Sequence, residues 1–150
     1  MKPRVDYDKI AHLYDDDAMR QKQPDADMLA LADRTGRRIR ALDIACGTGN
    51  QLAANRLVAP EHLYIGLDRH GEMIRRAASK DRAIGWVHGD GAQLPFRDGA
   101  FDYVSNQWAF HHVRDKVGML RETHRVLARG GQFTMVNQEP RRMPDWPLYA

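Results

Sequence analysis

Cysteine is almost absent from this 150-residue chain: Cys46 is the only one. A lone thiol excludes an internal disulfide and fits a reducing compartment, so the expected location is cytoplasmic. No apolar run approaches the ~20 residues that a membrane span needs. The opening Met1-Lys2-Pro3-Arg4-Val5-Asp6 lacks the apolar stretch of a secretory signal. Blocks of like charge are missing too. Lys and Arg number 23 against 20 Asp and Glu, a formal net charge of +3. The arginines are scattered or paired, at Arg37-Arg38, Arg75-Arg76 and Arg141-Arg142. A nucleic-acid-binding face would want them clustered, with aromatic side chains between. They read instead as solvated helix surface, with neither nucleic acid nor membrane as a partner. No Cys/His set has zinc spacing, no carboxylate cluster suits a catalytic magnesium, and P-loop and Gly-x-Ser-x-Gly motifs are absent. No metal is expected.

What is present is ordinary for one globular domain, with 43% hydrophobic and 29% charged residues. Its most informative stretch is Arg40-Ala41-Leu42-Asp43-Ile44-Ala45-Cys46-Gly47-Thr48-Gly49-Asn50. The short apolar run suits a strand buried on both faces. Glycines at alternate positions follow, and then a helix over 50–58, stopped before Pro60. Strand, glycine turn and helix make a nucleotide-cradling unit, in which the backbone can approach a ligand and the helix N-terminus offers N–H groups to an anion. Asp68 ends the next apolar run, Leu63-Tyr64-Ile65-Gly66-Leu67. An acid about 20 residues past the glycines is the expected partner of a ribose diol.

The rest of the chain alternates. Tyr7, Ile10, Ala11, Leu13 and Tyr14 form a partial helical stripe ended by Asp15-Asp16-Asp17. A second helix starts at Pro24-Asp25, with Asp25 as its cap, and ends at Gly36. Strands are expected at 62–67, 83–88, 101–105 and 132–137, with helices at 72–79 and 117–127 and a turn at Arg129-Gly130-Gly131. Such alternation implies crossover connections and a parallel sheet. The expected fold class is α/β, a Rossmann-like doubly wound sheet of five strands in the order 3-2-1-4-5. The expected parts are a helical segment over 7–36, the α/β core over 39–137 and an irregular tail over 138–150.

A dinucleotide fingerprint would need Gly-x-Gly-x-x-Gly, but the third position after Gly47 is Leu52. That disfavours a nicotinamide-dependent oxidoreductase. Asp43-x-Ala45-x-Gly47-x-Gly49 instead resembles motif I of the class I S-adenosylmethionine-dependent methyltransferases, with alanine in place of the first glycine. Four further stretches resemble the same family, in the same order. Leu67-Asp68-Arg69-His70-Gly71-Glu72-Met73-Ile74 is similar to its ribose loop and following helix. His88-Gly89-Asp90-Gly91-Ala92-Gln93-Leu94-Pro95-Phe96 is similar to its adenine loop. Asp98-Gly99-Ala100-Phe101-Asp102-Tyr103-Val104 and then Glu122 to Gly131 are similar to its fourth strand and the approach to its fifth. Tyr7-Asp8-Lys9-Ile10-Ala11-His12-Leu13-Tyr14-Asp15 adds a likeness to the small-molecule, quinone-methyltransferase branch.

The resemblance implies S-adenosyl-L-methionine as cofactor, a small-molecule acceptor and in-line methyl transfer. It places Asp68 on the ribose, and Asp90 on the adenine amine with Met73, Ala92 and Leu94 around it. Asp43 would brace the glycine loop, and Tyr14 would lie near the amino-acid end of the cofactor. Ala45, Cys46, Gly47, Gly49, Arg69, Gly91 and Asn106 complete the implied cofactor-binding set. His111 and His112 follow the fourth strand and are the candidates for handling an acceptor. On the residues alone, plainer roles stay open. Asp68 could simply end a strand, Asp90 could form a turn, Cys46 could be a small packed residue, Tyr14 could belong to a packed helix and the histidines could be structural. Asn106-Gln107-Trp108-Ala109 departs from the Asn/Asp-Pro-Pro-Tyr of enzymes that methylate base amines and amides.

The family's last two strands have no counterpart after the fifth. The expectation is a fragment or a shortened form, with a catalytically silent binding module as the alternative. Phe133, Met135 and Val136 would then lie on an edge strand without lysine or proline, so self-association through that edge is expected.

Overall fold

The computed structural model describes residues 6–137. Helix α1 is a single turn, Tyr7–Ile10, followed by 3-10 turns at Ala11–Asp16 and Ala18–Arg20. Then come α2 (Ala26–Thr35), β1 (Arg40–Ile44), α3 (Asn50–Val58), β2 (Leu63–Asp68), α4 (Gly71–Lys80), β3 (Gly85–His88), β4 (Phe101–Gln107), a 3-10 turn at Phe110–His112, α5 (Lys116–Val126) and β5 (Leu127–Val136). The strands form one sheet in the order β3-β2-β1-β4-β5, and every pairing is parallel. This is the Rossmann-like arrangement expected from the sequence. The tail over 138–150 lies outside the described residues.

Parallel strands covered on both faces send alternate side chains to opposite layers, and β1 does so. Ala41 packs with Met28, Leu31, Leu52, Tyr64 and Tyr103, the α2 and α3 side. Leu42 and Ile44 pack with Leu67, Phe101, Met119 and Val126, the α5 side. Asp25 caps α2 by accepting from the N–H groups of Asp27 and Met28, and Gly36 ends that helix at φ +61°. The other Asp25 oxygen accepts from Tyr103 Oη at 2.7 Å, which ties the cap to β4. At the far end of the sheet, buried Asp102 accepts from Arg40 N and Nε, each at 2.9 Å, from Arg40 Nη2 at 3.1 Å and from Arg37 Nη2 at 2.9 Å.

The boundaries differ from the sequence reading in four places. β3 starts at Gly85 rather than at 83. The stripe over 7–20 is a turn of α-helix and two 3-10 turns. Three consecutive aspartates have poor helix propensity, and Asp8 and Asp15 give their carboxylates to Glu72 N, Thr48, Asn50 and Lys80 rather than to their own backbone. β4 continues two residues further, through Gln107. α5 passes into β5 without a separate turn: Leu127 pairs with Phe101, but Tyr103 pairs with Gln132, a register shift across Arg129-Gly130-Gly131. Gly130 supplies φ +78° there, so the glycines form a bulge inside the strand. In β5 itself, Phe133 packs against the core while Met135 is exposed. Among the described residues, no helix is long and apolar enough to cross a membrane.

Candidate functional site

Parallel α/β sheets collect ligands beyond the C-terminal ends of their strands, where the order reverses. A cavity of ≈ 720 Å³ opens there, at the ends of β1, β2 and β4 and beside the loop after β3, a volume suited to a small organic ligand. Residues Tyr7 to Gln23 supply one wall and act as a roof.

The glycine loop is held by contacts that the sequence only partly shows. Ala45 has φ +60°, Gly47 +56° and Gly49 +78°. Alanine therefore stands in the left-handed region where the family motif has glycine, at a cost of about 1–2 kcal/mol. Gly47 lines the cavity, and a Cβ there would meet the Tyr14 ring at 3.7 Å. Gly49 needs to be glycine for a different reason: a Cβ would lie 2.2 Å from Trp86 Cη2. The Trp86 indole is fixed by its Nε1 donating to Asp81 O at 2.8 Å. Gly47 N–H donates to Asp68 Oδ2 at 2.8 Å, and Gly49 N–H donates to Cys46 O at 3.0 Å. Loop donors that the sequence suggested for a ligand are thus turned inward, which leaves the first turn of α3, without a side-chain cap, to face the cavity.

Asp68 is 5% exposed and accepts a second backbone N–H, from His70 to Oδ1 at 2.8 Å. Burial pushes its carboxyl above the usual range against those two hydrogen bonds. Asp43, also buried, accepts from Ser105 Oγ at 2.8 Å. Burial first, then repulsion from Asp25 and Asp68, push it up to about 7 despite Ser105 and Lys22. Cys46 is buried, and burial followed by Asp43 and Asp68 raises its thiol well above the ordinary value; it is not a nucleophile poised as thiolate.

The other expected residues divide. Tyr14, Arg69, Met73, Asp90, Gly91, His111 and His112 line the cavity with Asp43, Ala45, Cys46, Gly47 and Asp68. Gly91 sits where a Cβ would be 2.8 Å from Ile44 Cγ2, so glycine allows that loop to close on β1. Asp90 Oδ1 accepts from Ala92 N at 2.9 Å, a local turn that holds the carboxylate beside the cavity. Gly49, Ala92 and Asn106 do not line it. Asn106 is fully buried, donates to Ile44 O at 2.8 Å and, among the described residues, has no partner for Oδ1. Leu94 belongs to the α5-side core with Phe101 and Val104.

Residues that sequence reasoning missed hold the roof in place. Asp15 Oδ1 accepts from Thr48 Oγ1 at 2.6 Å and Asn50 Nδ2 at 2.9 Å, and Oδ2 lies 2.8 Å from Lys80 Nζ. Burial would raise its carboxyl, but these donors outweigh burial and hold it below the usual range. Asp8 Oδ1 accepts from Glu72 N at 2.9 Å at the start of α4, whose cap residue His70 makes no side-chain cap. Tyr14 Oη accepts from Arg20 Nη1 at 3.0 Å, with that guanidinium 4.3 Å over its ring. Lys22 lies with its Nζ 5.3 Å from the Trp108 ring centroid, and Trp108 has φ +61°. Among the described residues, the two non-glycine residues in the left-handed region, Ala45 and Trp108, both rim the cavity. Strain of that kind concentrates where ligands bind.

A methyltransferase domain model matches residues 42–135. The chain belongs to that family. It is similar to a demethylmenaquinone methyltransferase of Geobacillus kaustophilus, 39% identical over 98 residues, which cover 61% of this chain and 42% of that protein. A demethylmenaquinone methyltransferase of Staphylococcus aureus is 33% identical over 116 residues, covering 74% and 48%. The chain thus spans about half the length of the curated relatives it matches. A SAM dependent methyltransferase from Aquifex aeolicus superposes with a TM-score of 0.74 at 19% identity over 94% of this chain and 77% of that one, which shows the shared fold.

Proposed function

We propose that this chain binds S-adenosyl-L-methionine in the ≈ 720 Å³ cavity and transfers its methyl group to a small-molecule acceptor by in-line displacement. The observation that carries the reading is Asp68, a buried carboxylate at the end of β2 that faces the cavity while bonded to the glycine loop. The donor set fits the cofactor. Asp68 offers oxygen acceptors for vicinal hydroxyls. Asp90 offers one for an exocyclic amine, and Met73 supplies an apolar wall. Asp43 and the first turn of α3 lie where a zwitterionic amino-acid end would be held, with Tyr14 above. Asp43 and Asp68, both disfavoured as anions by burial, would be relieved by a cationic ligand.

When bound, the cofactor supplies a methyl group already activated by positive charge on sulfur. This chain's residues have then to orient the acceptor and exclude water. The roof over 7–23 does the second. Trp108, His111 and His112 border the space left for the acceptor. A cytoplasmic location and self-association through the β5 edge belong to the same proposal. They rest on the single cysteine and on an edge strand that exposes Met135.

Incubation with methyl-labelled cofactor and a panel of small protic acceptors tests the reading. Label in a small-molecule product is expected. Tight binding with no turnover on any acceptor would make the chain a binding module instead.

A further inference from the structure

The Tyr7 phenol oxygen lies 2.8 Å from Nε2 of His112, across 105 residues of sequence. Tyr7 belongs to the roof and His112 to the turn after β4, so the bond exists only with the roof closed on the cavity. Their rings meet edge to face, 5.3 Å apart at 75°. Tyr7 also packs against His70 at 5.4 Å and Tyr14 at 6.3 Å. The His111 ring is 3.9 Å from that of His112, and its Nδ1 is 3.0 Å from Asn137 Oδ1. Tyr7, His70, His111 and His112 all line the cavity, with Lys22 and Arg114 as nearby cations; Asp8 stands 3.4 Å behind His70.

The geometry points to Tyr7 and His112 as a proton-accepting pair for the acceptor, which is therefore a protic nucleophile: a molecule whose attacking atom, hydroxyl oxygen or amine nitrogen, carries a proton that must be lost. The inference rests on the methyl-transfer reading above. A phenol is a poor base by itself, and an imidazole that accepts from it need not itself take the acceptor's proton. Linked, they form a relay. The acceptor's proton passes to Tyr7 Oη as the phenolic proton passes to His112 Nε2. The freed lone pair forms the new bond to the methyl carbon, and the old carbon–sulfur pair stays on sulfur. His112 then carries one added proton and returns it to solvent when the roof opens. The closed roof and the assembled relay are one state, so proton transfer is available only when water is excluded.

The test uses the full chain with Tyr7→Phe, His112→Gln and the double variant, and catechol and ethanolamine as probes. Calorimetry with S-adenosylmethionine is expected to give affinities within about threefold of the unsubstituted chain for all variants, while each single variant loses about 10²-fold or more in transfer. The double variant should be no worse than either single, because the pair acts as a unit. Amide exchange over residues 6–17 separates relay from latch. The glutamine oxygen can still accept from Tyr7, so His112→Gln should keep the native exchange pattern and still lose transfer, whereas Tyr7→Phe should speed exchange. Transfer that survives in His112→Gln would overturn the proposal and leave a structural latch. So would transfer to neither probe by a chain that binds the cofactor. Failure of the unsubstituted chain to bind the cofactor at all would instead sink the cofactor reading, and the pair's role with it.

Discussion

Asp68 and Gly47 are joined by a single 2.8 Å hydrogen bond, from the glycine's backbone N–H to Oδ2 of the aspartate. It links the loop after β1 to the acid at the end of β2, so one carboxylate both shapes the loop and faces the cavity. Asp68→Ala should weaken cofactor binding by about 2–4 kcal/mol, since charge-assisted hydrogen bonds are lost. It should also lower stability by about 1–3 kcal/mol, because the Gly47 and His70 amides lose their acceptor. Asp90→Ala should cost only about 1–2 kcal/mol of binding, as a single neutral donor loses its partner. Calorimetry alongside thermal unfolding checks both. A larger binding loss for Asp90→Ala would reverse the two roles.

Ala45 and Gly49 make a second, opposite pair of expectations. Ala45→Gly removes strain at φ +60° and should stabilise the chain by about 0.5–1 kcal/mol, offset in part by the added freedom of the unfolded chain. Gly49→Ala adds strain at φ +78° and drives a Cβ into Trp86. Gly36→Ala adds strain at φ +61° with nothing within 4 Å. Chemical denaturation should therefore rank Gly49→Ala well below Gly36→Ala in stability. Equal losses would mean that the indole moves aside freely.

Asp43 makes stability depend on pH. Its carboxyl is held near 7 in the fold, mainly by burial, against about 4 in an unfolded chain. A raised folded value means that the folded state holds the proton more tightly. The stability it contributes is complete below about pH 4 and is lost as pH rises toward 7. Asp68 is shifted in the same direction. Asp102 runs the other way: burial would raise it, but Arg40 and Arg37 outweigh burial and hold it far below the usual range. Its contribution is present above about pH 4 and lost only at strongly acidic pH. Between about pH 4 and 7 the cofactor-free chain should therefore lose the stability that Asp43 contributes as pH rises, and Asp43→Asn should flatten that slope. A flat profile in the unsubstituted chain would show that Asp43 is ionised throughout.

The sheet was legible because strands buried on both faces leave short apolar runs between glycine turns, as in Leu42 to Ile44 and Leu63 to Leu67. Asp68 was legible from its distance to the glycines. The roof was not. Asp8 and Asp15 look like solvated acids, and their partners Glu72, Thr48, Asn50 and Lys80 lie over 30 residues away. Only the fold brings them together. Leu94 shows the converse, since an apolar letter in a loop does not say whether it faces ligand or core. The spacing of Gly49 marked the motif correctly, yet the close neighbour that demands glycine there is Trp86.

The most direct test is a calorimetric titration of the unsubstituted chain with S-adenosylmethionine, S-adenosylhomocysteine and NAD. Saturable one-site binding of the first two is expected, each displacing the other, with affinity lost in Asp68→Ala, and no binding of NAD. Binding of NAD in preference to both, or binding of S-adenosylmethionine that Asp68→Ala leaves untouched, would contradict that expectation.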